Sequence, residues 1–321
     1  MINRTLLIFL LLTYIPAGYA AEEPVSGEKT DKEKETVSLE LSIISRTHEL
    51  EFLDRALENY IIFQPDIPYV FQAKLFFLNQ EIKIATDSVN DIGKESQKVD
   101  SSYSDLEYSG FIGDYEYSIY YGKYKGFYVE GQRDVSGDYF NFEEIKTKRY
   151  GIDVKIYGEE PRMLSVNNRY SNDPDKLPNL FGTYIFGILY DVSDIKNIPS
   201  DPAILSQINN SQFLFFNDLK LTTLSPYAGL IGRLAHDGYF IEAGLSIGFG
   251  LQRQIVTLDG VTDDHWDYSF VGLGFASIGK KIHGNGTIGF YYSMDTVEPS
   301  VEKNEFAIAT VDLSLFYKVY F

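Results

Sequence analysis

The chain has 321 residues, a formal net charge of -18, no cysteine, and 25 Tyr and 23 Phe beside a single Trp. The acidic balance excludes nucleic acid as a partner, because no basic patch is available to neutralise phosphates; the absence of cysteine excludes a lipid-anchored lipoprotein and any fold stabilised by disulfides. One domain can account for the length, since β-barrels and sandwiches routinely exceed about 200 residues without splitting.

In chain order, the first residues read as a processing segment. Arg4 precedes the apolar run TLLIFLLLTYI, and Gly18-Tyr19-Ala20 supplies a small-residue cleavage pattern, so residues 1–20 are expected to be a secretory signal peptide cut near Ala20. The run is shorter than the roughly 20 apolar residues that a membrane helix needs. Residues 21–38 are charged and nearly free of apolar groups, the composition of a solvated linker. Residues 39–56 are expected to form a short ordered lead-in, with the barrel domain at 57–321.

From there the hydrophobic period is two. In YFIEAGLSIGFGLQ, Ile241, Ala243, Leu245, Ile247, Phe249 and Leu251 share one face, and Glu242, Ser246 and three glycines share the other. Tyr150, Ile152, Val154 and Ile156 oppose Arg149, Gly151, Asp153 and Lys155, and Tyr115, Tyr117, Ile119 and Tyr121 oppose Asp114, Glu116 and Ser118. Val271, Leu273 and Phe275 are assigned to an apolar outward face against Gly272, Gly274 and Ala276. A soluble sandwich also alternates, but three features favour a membrane barrel. Many segments reach the roughly 9–11 residues that a tilted strand needs to cross a bilayer, Tyr and Phe crowd the strand ends as aromatic girdles do, and the polar faces mix charges with glycines, which suits a hydrated lumen better than a dry core.

Candidate strands fall at 57–64, 68–77, 80–86, 109–121, 124–132, 148–158, 162–169, 180–190, 213–221, 224–235, 238–255, 268–280, 283–294 and 304–321. Allowing for failures among the short ones, the expectation is an all-β fold: a transmembrane antiparallel up-and-down β-barrel of about 12 strands, within a range of 10–14. Counting back from Phe321 at the periplasmic rim places 257–267 and 295–303 in outward loops, and AHDG and KKIHG in short periplasmic turns. The same count puts 191–212 on the periplasmic side, where turns should be short, so either the count is off by one in the middle or this segment folds into the lumen as a partial plug.

The final VDLSLFYKVYF sets Val311, Leu313, Leu315, Tyr317, Val319 and Phe321 against Asp312, Ser314, Phe316 and Lys318. It resembles the C-terminal strand of bacterial outer-membrane proteins, which implies that Tyr317, Val319 and Phe321 form the signal read by the barrel-assembly machinery. More narrowly, IIFQPDIPYVFQAKLFFLNQEIKI, YYGKYKGFYVEG and LSPYAGLIGRLAHDGYFIEAGLSIGFGLQ are similar to a domain-of-unknown-function family of bacterial outer-membrane β-barrels, over roughly residues 40–321. The chain reads Phe63-Gln64-Pro65-Asp66 where that family has a Tyr-x-Pro-Asn turn. The resemblance implies a fold and an outer-membrane location, with outer-membrane lipids as surroundings, and implies no activity.

The candidate sites are weighed against plainer readings. Lipid hydrolases of the outer membrane pair a His with a nearby Ser; His283 has Asn285 close by and Ser293 a strand away, spacing that does not suggest a productive pair. Asp259, Asp263, Asp264, His265 and Asp267 crowd one segment, and Asp263, Asp264 and Asp267 could hold a hard cation, although the spacing is not that of an EF-hand and an ordinary acidic loop is expected. Arg149, Asp153, Lys155, Arg233 and Glu242, with Lys74 and Glu116, fall on the luminal face. Both signs are present, so paired networks filling the barrel are expected, and a charged constriction for solutes is the functional alternative. The function expected is non-enzymatic and without a cofactor: a small channel or structural envelope protein of the bacterial outer membrane. The alternatives are an outer-membrane lipid hydrolase and a receptor or adhesin acting through its outer loops.

Overall fold

The computed structural model describes residues 37–54, 59–67, 69–77, 80–87, 98–112, 115–133, 137–158, 180–199, 217–282, 286–301 and 304–321. The expected signal segment and most of the linker lie outside these residues, as does the candidate strand at 162–169.

Thirteen strands are formed by the described residues: β1 (Ser38–Asp54), β2 (Asn59–Gln64), β3 (Val70–Phe77), β4 (Gln80–Thr86), β5 (Ser102–Ile112), β6 (Tyr115–Arg133), β7 (Tyr139–Tyr157), β8 (Leu180–Lys196), β9 (Asp218–His236), β10 (Tyr239–Leu258), β11 (Val261–Ile282), β12 (Gly286–Val301) and β13 (Asn304–Tyr320). All pairings are antiparallel, and β13 pairs with β1 from Ser38↔Tyr320 to Asp54↔Asn304, closing the ring. Chain neighbours are sheet neighbours from β3 to β13. Twelve strands make the wall, because β2 and β3 are two halves of one staggered strand: β1 holds β2 along Leu50–Asp54 and β3 along Ser38–Ile44. The break between them follows Gln64 at Pro65, which has no N–H to give to the ladder.

This break tapers the barrel. β4 stops at Thr86 and β5 starts at Ser102, so neither continues towards the rim opposite Phe321, which is called the far rim below. There β2 takes their place, pairing with β6 at Phe63↔Val129 and Gln64↔Tyr128. With β2 standing in for β3, β4 and β5, the far rim is ten strands around. Barrel diameter grows roughly linearly with strand number, so this end is narrow enough to be filled by side chains. It is filled: Leu50, Phe52, Phe63, Phe127, Ile145, Ile195, Leu219, Leu221, Phe306 and Ile308, from opposite walls, form one buried cluster. Gly126 lets β6 bend there. Its φ is +77°, a Cβ at that position would run into the Asp100 carbonyl, and the β6–β7 register shifts across it.

The outer face is apolar around the whole circumference. Leu41, Leu75, Ile84, Leu106, Ile119, Ile152, Ile188, Leu230, Leu245, Ile278, Phe290 and Leu315 are exposed, one from each wall strand. A soluble monomer does not display a continuous apolar girdle of this extent, whereas a closed ring with a fully paired ladder is one of two structures that can stand in hydrocarbon. The fold is a transmembrane antiparallel β-barrel.

Several sequence expectations need correction. The stretch 39–56 is no lead-in: residues 38–54 are β1, the strand that closes the barrel. The candidate at 109–121 belongs to two strands, β5 and β6, and those at 213–221 and 224–235 to a single one, β9. Val271, Leu273 and Phe275 point inward, because Gly272 and Gly274 pair with the outward Ile247 and Leu245 and paired residues share a face. Residues 257–267 form a β10–β11 hairpin, with Asp259 at φ 47° and Gly260 at 82°, and the β9–β10 turn repeats this at Asp237 (49°) and Gly238 (76°). Two consecutive residues at positive φ are the signature of a two-residue Asp-Gly turn whose twist matches its strands. Most of 295–303 is likewise strand. Finally, β7 pairs directly with β8, and Lys196 ends β8 at the far rim rather than beside Phe321.

The two faces give the first prediction. Leu245 is 60% exposed and Ser246 is 7% exposed; Leu245→Arg should destabilise the barrel in lipid vesicles by about 2–4 kcal/mol, the cost of a lipid-facing Arg near the midplane. Ser246→Arg should cost less in the same urea titration. The reverse order would show the faces to be inverted.

Candidate functional site

The lumen below the far-rim cluster is polar, and its side chains come from the positions where strand alternation puts charge. On the seam between β1 and β13, Arg46 and Asp312 are directly opposite in register, and the guanidinium grips the carboxylate through two hydrogen bonds of 2.5 Å, Nε to Oδ1 and Nη2 to Oδ2. Beside them His48 is 3% exposed; its Nδ1 lies 3.0 Å from Thr310 Oγ1, and its ring stacks on Tyr124 with centroids 3.9 Å apart.

Arg149 of β7 reaches across the interior. Its Nε donates to Asp191 Oδ1 at 2.7 Å on the adjacent β8, and its Nη1 donates to Asp295 Oδ2 at 2.6 Å on β12, five places around the ring. Asp191 also accepts from Tyr120 (2.5 Å) and Ser193 (3.1 Å), so this buried carboxylate accepts three hydrogen bonds, two at Oδ1 and one at Oδ2. Towards the C-terminal-rim ends of β6 and β7, Glu116 takes Lys155 at 3.2 Å and the Tyr157 hydroxyl, while Asp153 accepts from Tyr227 at 2.7 Å. Lys83 lies between Asp105 (3.1 Å) and Glu107 (2.5 Å), and Lys74 meets Glu40 at 3.0 Å. A charge buried in a low-dielectric wall is tolerated only when paired and hydrogen-bonded, and these pairings meet that condition.

The five luminal charges singled out from sequence therefore separate. Arg149, Asp153 and Lys155 enter the paired network. Arg233 and Glu242 face each other across β9 and β10 nearer the rim that carries Phe321, in a different part of the lumen. Two connected cavities remain, of ≈ 360 Å³ around Arg149 and ≈ 250 Å³ around Arg233, sharing Lys83, Glu107, Phe275, Tyr291, Ser293 and Asp312 in their walls.

The candidate cation ligands do not converge. Asp264 is on the outer side of the hairpin, gripped by Arg253 at 3.0 and 2.6 Å. Asp263 and Asp267 lie on the opposite parity, each accepting from the backbone N–H of the next residue. His283 lies outside the described residues, and Ser293 faces the lumen. Tyr317 and Phe321 are exposed on the outer side at the C-terminal rim, Val319 pairs with Leu39, and Phe321 N–H donates to Val37 C=O at 2.9 Å.

Sequence reasoning missed Arg46 and His48 because their strand was read as a lead-in. Asp312 was within reach, on the polar parity of a strand whose other face was already recognised, whereas Asp191 lies one residue beyond the candidate strand 180–190, in a stretch read as outside the wall, and β8 runs on to Lys196. The pairing of Arg149 with Asp295 had no sequence signal, since partners 146 residues apart meet only through the curvature of the ring.

No family model matches the chain, and no curated protein matches it. Among solved structures it is similar to the outer membrane protease OmpT from Escherichia coli, at 8% identity and a TM-score of 0.38 over 89% of this chain and 97% of that one. It is also similar to the β domain of the Bordetella autotransporter BrkA, at 9% and 0.36 over 88% and 99%, and to an outer membrane channel from Pseudomonas putida F1, at 10% and 0.35 over 95% and 99%.

The strut across the lumen yields a prediction. Arg149→Met should leave Asp191 buried without its cation and destabilise the barrel by about 3–5 kcal/mol. Asp295→Asn should cost much less, because its side chain keeps 34% of its exposure and can be hydrated. Urea titrations of both variants in vesicles check the order; equal losses would show that the strut acts as one unit.

Proposed function

We propose that the protein is a non-enzymatic integral barrel of the bacterial outer membrane that serves as a closed-lumen envelope protein, structural or solute-holding, and does not form a steadily open channel. The observation that carries this reading is the filling of the far rim: large apolar side chains from opposing walls meet there, and the Arg149–Asp295 pair crosses the lumen beneath them. An ion crossing would have to be stripped of water against an apolar layer, the arrangement that gates hydrophobic constrictions. With Phe321 at the periplasmic rim, the filled end faces outward and the cavities lie on the periplasmic side of it. The hydrolase alternative would need His283 beside a serine at the lipid-facing surface; Ser293 turns into the lumen instead.

In planar bilayers the refolded protein should give no steady unitary conductance, and Phe63→Ala combined with Phe127→Ala should introduce current by opening the apolar layer. A stable ohmic pore from the unaltered protein would overturn the closed-lumen reading.

The outer-membrane address has its own test. In this reading Tyr317, Val319 and Phe321 present an aromatic-ended strand to the barrel-assembly machinery. Deleting Phe321 should lower the amount of heat-modifiable protein in the outer-membrane fraction while leaving barrel already folded in detergent nearly as stable, and Phe321→Tyr should be silent. Normal membrane levels of the deletion variant would show that the terminal ring is not read.

A further inference from the structure

We infer that the cavity at the C-terminal-rim end of the lumen is a binding site for a small organic monocarboxylate, with Arg233 as its anchor. Arg233 is 6% exposed, and its buried Nε has no hydrogen-bond partner. An arginine stays protonated in a protein, so a full positive charge stands here in the wall of the cavity. Arg46, Lys74, Lys83, Arg149 and Lys155 each have a carboxylate within 3.2 Å, and Lys318, 5% exposed in the same cavity, sits 3.8 Å from the ring centroid of Phe76. Arg233 makes no hydrogen bond or ion pair with any described residue. Glu242 is directly opposite in register without a hydrogen bond joining the two, and the guanidinium lies 5.2 Å from the ring centroid of Phe240.

The rest of the cavity selects the ligand. Phe76, Phe240, Phe275 and Phe316 give it an apolar wall, and its ≈ 250 Å³ falls just below the usual range of about 300–1,000 Å³ for small-molecule pockets. Five carboxylates (Glu40, Glu81, Glu107, Glu242 and Asp312) share the lining with four cations (Lys74, Lys83, Arg233 and Lys318), and Lys74 already answers Glu40, so the lining offers no surplus of positive charge for a dianion such as phosphate, and a single carboxylate is the better match. The planar fork of a guanidinium matches a carboxylate in two parallel hydrogen bonds. One unpaired fork, an aromatic wall and neighbouring carboxylates together describe a monoanion with an apolar body. This inference concerns the lumen itself, and its failure would leave the closed far rim untouched.

Benzoate is the probe. The full chain, refolded in detergent micelles, is titrated with benzoate by calorimetry after subtraction of a micelle blank, and the same titration is made with benzamide, its uncharged isostere, and with inorganic phosphate. Benzoate should bind, and benzamide and phosphate should bind at least about tenfold more weakly, the scale of one charge-assisted hydrogen bond. Arg233→Gln should lose benzoate binding by a similar factor, and Arg233→Lys should retain part of it. Without benzoate, Arg233→Gln should unfold at the same urea concentration as the unaltered chain or higher, because it removes a charge that the fold leaves unpaired. No benzoate binding, equal binding by Arg233→Gln, equal binding of phosphate, or a Gln variant that cannot fold without benzoate would each overturn the assignment.

Discussion

The constraint on which the rest depends is ring closure. In hydrocarbon no water is available to satisfy a bare strand edge, so every backbone N–H and C=O of the wall must find a partner within it. The seam between β1 and β13 meets this with an unbroken register from Ser38↔Tyr320 to Asp54↔Asn304, and Arg46 clamps Asp312 across it on the luminal side. Because the seam runs the full height of the barrel, the residues just after the charged N-terminal stretch are part of the wall rather than a tether to it. The alternation of β1 then becomes intelligible: Leu41 and Ile43 face out, while Glu40, Ser42, Ile44, Arg46, His48 and Leu50 face in.

Closure fixes an inside, and the inside changes character along the axis. A ring of twelve strands is too wide for its own side chains to fill, and here it holds cavities walled by paired charges. A ring of ten, reached by ending β4 and β5 early and seating β2 between β1 and β6, is narrow enough for phenylalanines and branched aliphatics to meet. The taper thus separates two environments within one wall: one end is packed with apolar side chains and the other stays polar. The break at Pro65 and the bend at Gly126 are the local features that make the transition, one by interrupting a ladder and the other by permitting a positive φ that a side chain would forbid.

The polar half is held by carboxylates that each serve several donors. Asp191 collects Arg149, Tyr120 and Ser193, and Glu116 collects Lys155 and Tyr157. Such networks contribute little net stability relative to an apolar filling, yet removing one member leaves an uncompensated charge. That asymmetry makes Arg233 stand apart, since it has the burial of a network member without a network partner.

The sequence by itself determined the class of fold and which face of most strands looks outward, because a period of two maps directly onto the two sides of a wall and only one side can be uniformly apolar. It determined the positions of β3, β4, β10 and β13 to within a few residues, and the luminal parity of Arg149, Asp153, Lys155, Arg233 and Glu242. It could not decide strand order or where the ring closes, because β1 is short of aromatic girdle residues and pairs with a strand more than 250 positions away. Nor could it decide the face of β11: Val271, Leu273 and Phe275 look like a lipid-facing set until their neighbours in register, Leu245 and Ile247, are seen to claim the outside. Which charges meet was decided only by the tertiary structure, because contacts across a lumen are set by the curvature of the closed ring and not by distance along the chain.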